Sequence, residues 1–130
     1  MAQRDFRGQL TDLRHGLLRL HKTLLDWERG IYEQEHGRQT GGELLKLLLD
    51  DPRFAWLRPM SQTIVRIDEL LDGDEPLAEP DVNDVFATAD GLTSSEGGAG
   101  QGKRYQEALQ GSPEAVFAHR DVRATLGQAR

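Results

Sequence analysis

The chain has 130 residues, 37% of them hydrophobic and 29% charged, with 16 Lys and Arg against 22 Asp and Glu. That size suits one domain with a real core, and the net charge of −6 argues against nucleic-acid or anionic-membrane partners. Cysteine is absent, which excludes disulfides, thiolate metal sites and a cysteine nucleophile.

The N-terminal residues Met1 to Arg7 are charged and lack an apolar stretch behind them, so they do not read as a secretory signal. No run approaches the ~18 apolar residues of a membrane span. The expected compartment is therefore the cytoplasm.

Phe6, Leu10, Leu13, Leu17, Leu20, Leu24, Trp27 and Ile31 recur at alternating steps of four and three. This heptad seam predicts one long helix, widened on one side by Leu18, Leu25 and Tyr32. Gly16 and Gly30 interrupt it as points of close approach or bending, and Gly37 is a natural stop. At 1.5 Å per residue the helix would be about 45 Å long.

Thr40-Gly-Gly-Glu43 has the form of a capping box. It opens Leu44 to Leu49, apolar nearly all round and hence expected to be buried. Asp51-Pro52 starts a further turn, and Pro59 predicts a break before a third helix running to Leu71. That helix has its own seam in Met60, Ile64, Ile67 and Leu71, with Val65 beside it.

Residues 73–96 hold seven acidic and no basic side chains, together with Pro76 and Pro80. Residues 73–80 and the glycine-rich 91–102 read as mobile connectors within a single domain, 1–130. Between them, Val82, Val85, Phe86 and Ala89 form an amphipathic pattern behind an Asp81 cap. Tyr105 to Gln110 is a short helix, and Ser112-Pro-Glu114 starts a last one ending near Gly127. No segment alternates with period two. The expected fold is all-α: a helical bundle with a long first helix, a short buried second, a Pro-broken third and a C-terminal helical pair.

Four stretches, His21-Lys-Thr-Leu-Leu-Asp-Trp-Glu28, Asp51-Pro-Arg-Phe-Ala-Trp-Leu-Arg-Pro59, Ile67-Asp-Glu69 and Ala108-Leu-Gln-Gly-Ser-Pro-Glu114, resemble a family of short bacterial proteins of unknown function. The resemblance implies bacterial origin and a helical fold, and it brings no functional residues.

His21, Glu28 and Glu35 share one heptad position, between the leucine seam and its flank. Asp68 lies similarly between Ile64 and Val65. Buried charge needs partners, so these four side chains would form either a structural network or a metal or acid–base site. Glu33-Gln-Glu-His36 has the Glu-x-x-His spacing of di-iron bundles, which need two such motifs and two further glutamates; here there is one, and the only C-terminal histidine, His119, has Glu114 five residues earlier. Gly97 to Lys103 matches a phosphate loop in spacing, but Arg104 stands where Ser or Thr is required. Asp72-Gly-Asp-Glu75 lacks the calcium-loop ladder, and no histidine has an evident serine partner. Trp27 and Trp56 read as core, and Arg53, Arg58 and Arg66 as a solvated face.

No catalytic set is complete and no cofactor is expected. The leading expectation is a non-enzymatic protein acting by self-association or by packing on an unknown protein partner. Phe6, Leu10 and Leu13 are the candidate interface of a homodimer, because two shorter helices would not cover so long a seam. The alternative is a metal- or small-molecule-binding bundle, or an enzyme, built on His21, Glu28, Glu35 and Asp68.

Overall fold

A computed structural model describes residues 5–94 and 101–128. The described chain is all-α. Its helices are α1 (Phe6–His36), α2 (Gly41–Asp50), a 3₁₀ segment (Pro52–Leu57), α3 (Arg58–Asp72), α4 (Glu79–Thr93), α5 (Gln101–Gly111) and α6 (Pro113–Gln128). No described helix is long and apolar enough to cross a membrane.

The long first helix is the spine. Leu10, Leu13, Leu17, Leu20 and Leu24 are fully buried along it. Asp5 caps its start by accepting from the Gly8 N–H, and Gly37 ends it with φ 85°, a conformation suited to glycine. α3 and α6 both lie antiparallel to α1. Arg14 meets Asp68 and Arg7 reaches the Leu71 carbonyl on one side, while Arg19 meets Asp121 on the other.

Contact with α6 is close because the facing residues are small. A Cβ on Gly16 would stand 3.1 Å from a Val122 methyl carbon, and Ala115 and Ala118 are fully buried. α4 covers α3 and α6 through Val82, Val85 and Ala89. Leu10 and Leu13 are thus buried within the chain, and Phe6 is partly buried. This corrects the expectation of a bare strip at Phe6, Leu10 and Leu13. Two helices were expected to cover α1; α3, α4, α5, α6 and the 3₁₀ segment all pack on it.

The buried second helix is also corrected. α2 forms behind the expected capping box, with Thr40 and Glu43 exchanging hydrogen bonds at 3.0 and 3.2 Å. Yet it has no fully buried residue, and Leu45 and Leu49 are exposed. Only its inner side, Leu44, Leu47 and Leu48, packs on the core. The Pro59 break appears as the junction where the 3₁₀ turns give way to α3.

The connectors are shorter than expected. Residues 79–80 already belong to α4, whose cap is Ala78 rather than Asp81, with Pro80 in the first turn. Gly91 to Thr93 close α4 and residues 101–102 open α5; positions 95–100 of the expected glycine connector, including most of the Gly97–Lys103 motif, lie outside the described residues.

Candidate functional site

The expected polar stripe divides into three places. Glu28 is the one member that is fully buried. Trp56 Nε1 donates to its Oε1 at 3.0 Å, Arg104 Nε donates to the same oxygen at 2.9 Å, and Arg104 Nη2 donates to Oε2. Arg53 Nε adds an ion-pair contact at 3.6 Å. A carboxylate on α1 is therefore held by the 3₁₀ segment and by α5 at once.

Aromatic rings wall this node. The Arg104 guanidinium lies 4.4 Å from the Trp27 ring centroid, and Trp27 meets Trp56 edge-to-face at 6.4 Å. A Cβ on Gly111 would come within 2.6 Å of Trp27 Nε1, so the end of α5 approaches the indole as only glycine allows. Both tryptophans are half-buried rather than core, with Trp27 at the edge of the node and Trp56 donating into it.

Glu35 joins from the outside. Arg53 Nη1 donates to it at 2.6 Å, and this hydrogen bond, with the Arg53 charge behind it, holds the exposed Glu35 carboxyl below its ordinary range. Tyr32 stacks with His36 at 4.4 Å and meets Phe54 at 5.7 Å, closing the surface beside Arg53. Arg53 and Arg104 also hold raised pKa values, led in each case by the carboxylate hydrogen bond. Every nitrogen of Arg104 is engaged, because Nη1 meets Glu107 at 3.0 Å. Its donors and acceptors are matched, and it ties α1, the 3₁₀ segment and α5 together.

Asp68 lies elsewhere, half-exposed and paired with Arg14. His21 lies elsewhere again. It lines a groove of about 330 Å³ between α1, α2 and α3. The groove's apolar walls are Leu45, Leu48, Leu49, Phe54 and Leu57. Arg58, Ser61 and Gln62 accompany His21 as its polar groups. Burial lowers the His21 pKa, favouring the neutral imidazole. Among the described residues, no group of three His, Asp or Glu side chains gathers as metal ligands would.

A second polar pair, of a buried tyrosine and a half-buried histidine, was not expected from the sequence. Tyr105 is buried, and its hydroxyl lies 2.6 Å from His119 Nδ1. Burial raises the Tyr105 pKa far above normal and lowers that of His119, with the Arg123 charge adding to the latter. Arg123 itself bonds Asp90 at 2.7 Å and the Thr93 hydroxyl at 3.2 Å, tying α6 to α4. Arg104 entered the sequence reading only as the residue that breaks the phosphate-loop pattern, and Tyr105 only as a helix start, because the partners of both are distant in the chain.

No protein-family model, curated protein or solved structure matches the chain.

Proposed function

We propose that this is a small cytoplasmic, non-enzymatic helical protein that acts by associating with a second copy of itself through the outer face of α2. The observation that carries the reading is the pair Leu45 and Leu49, 58% and 65% exposed and one helical turn apart. Single exposed leucines are ordinary. These two belong to a larger patch. Leu18 and Val65 are exposed as well, and each lies one helical turn from a residue that lines the groove with Leu45 and Leu49, Leu18 from His21 on α1 and Val65 from Ser61 on α3. A contiguous apolar patch of this kind marks an interaction surface.

The flank of α2 favours self-pairing. Lys46 and Asp50 lie one turn apart along the same side of the leucine ridge. Two α2 helices packed antiparallel about a two-fold axis would set Leu45 over the partner's Leu49 and Lys46 beside the partner's Asp50, twice by symmetry. Gly41 and Gly42 have open space where a Cβ would stand, so the N-terminal end of the ridge is low enough for close approach.

Light scattering tests this directly. The wild type is expected at twice 14.6 kDa at tens of micromolar. Leu45→Glu and Lys46→Asp are expected to give the monomer, and Lys46→Asp with Asp50→Lys to restore the dimer. A wild type that stays monomeric at hundreds of micromolar would overturn the reading.

A further inference from the structure

The geometry of the α1–α2–α3 groove points to a ligand site: we propose that it binds a small carboxylate with an apolar chain, of medium-chain fatty-acid type. The inference does not rest on self-association: Leu45 and Leu49 serve both proposals, but the groove's polar groups, His21, Arg58 and Gln62, are ones that the dimer does not use.

The size and wall chemistry suit such a molecule. A volume of about 330 Å³ lies at the small end of ligand sites, which are mostly apolar with a few placed polar groups. Leucines from α2 and the 3₁₀ segment, with Phe54, would take an alkyl chain. His21, Arg58 and Gln62 stand with them, and among the described residues no carboxylate lines the groove. The ligand's head group therefore meets donors and a cation, with no competing acid.

Those donors are available and one is already oriented. Arg58 Nε and Nη2 donate to the carbonyls of Leu48 and Leu49 at 3.2 and 2.7 Å. This fixes the guanidinium while Nη1 has no acceptor among the described residues. His21 and Gln62 likewise make no side-chain hydrogen bond among the described residues. The imidazole is neutral near pH 7 by burial and still supplies one N–H. A planar carboxylate can accept from Arg58 and His21 together, and such charge-assisted bonds are stronger than neutral ones. A phosphate would need more donors than these. An amine would meet Arg58 as a like charge.

The experiment is a titration of the wild-type chain with octanoate, followed by amide chemical shifts. Saturable shifts are expected at Leu45, Leu48, Phe54 and Arg58. Octanoate is expected to bind at least about tenfold more tightly than octylamine, from the head group, and than butyrate, from the chain. His21→Leu should weaken octanoate while leaving 1-octanol unchanged, which separates a lost donor from a lost fold. Lys46→Asp should keep octanoate affinity even where it removes the dimer, so the two proposals fail separately. Octylamine binding as tightly as octanoate, shifts centred away from the groove, or no saturable binding by a folded wild type would each overturn the proposal.

Discussion

Glu28 shows how one residue joins distant parts of the chain. Its carboxylate lies at zero exposure and is met by donors 28 and 76 residues away. Removing one partner of a buried ion pair leaves the others uncompensated, at roughly 3–5 kcal/mol. Arg53 and Arg104 keep about a quarter of their side-chain surface, so they can partly rehydrate. Glu28→Ala is accordingly expected to cost about 3 kcal/mol in urea unfolding, the low end of that range. Glu35→Ala, at the exposed rim of the same network, should cost far less. The half-buried His119 imidazole behaves differently. Its folded pKa is below the unfolded 6.5, first from burial and then from Arg123. The unfolded chain therefore binds the proton first, and the stability contributed by neutral His119 is full above pH 6.5 and lost as pH falls through the folded value. Melting temperature should drop from pH 7.5 to about 5, and His119→Asn should flatten part of that slope. His21, shifted in the same direction, accounts for a further part.

At the scale of the element, α1 departs from its own heptad. The buried series runs Leu10, Leu13, Leu17, Leu20, Leu24 and then Glu28, not Trp27. A straight helix has 3.6 residues per turn and drifts ~20° per heptad, so an extra step of four brings Glu28 into the buried position. Trp27 moves to the edge, where it can lie under Arg104. Glycines along the packed elements differ by what faces them. Gly30 has nothing within 4 Å of a built Cβ, whereas Gly16 faces Val122 at 3.1 Å and Gly111 faces Trp27 at 2.6 Å. Gly30→Ala is expected to raise stability by roughly 0.5–1 kcal/mol through helix propensity alone. Gly16→Ala should gain less, and Gly111→Ala should lose stability as the indole is displaced. Thermal melts of the three variants would order them; a destabilising Gly30→Ala would mean that the backbone there is strained.

For the whole molecule, α1 is the element that the core is assembled around. Leu24 is fully buried in a cluster that takes in residues from every helix but α2, and from the 3₁₀ segment. Leu24→Ala should cost about 2–5 kcal/mol, the range for a buried leucine that leaves a cavity. A loss under about 0.5 kcal/mol in urea would mean that the seam does not face a packed interior. The same view separates α2 from the rest. It packs by one side on the 3₁₀ segment and is pinned at its C-terminus by Arg58. It can carry an interface or a ligand wall without disturbing the spine.

The all-α class, the α1 spine, the Thr40 capping box and the Pro59 break were legible in the chain because each depends on neighbours within a few residues. Periodicity, cap chemistry and proline sterics are local. So was the buried address of Glu28, although its heptad mates His21 and Glu35 do not share its surroundings. What sits opposite a helix face was not legible. Leu44 to Leu49 is apolar all round, and periodicity cannot say which side of such a helix is covered; only the packing of the 3₁₀ segment against one side left Leu45 and Leu49 outside. Leu10 and Leu13 are covered for the converse reason, because α4 and α6 return to α1 from about 70 to 120 residues away. Arg104 joined Glu28 across 76 residues. Pairings at that separation depend on where α5 docks, which the tertiary structure decides and local sequence does not encode.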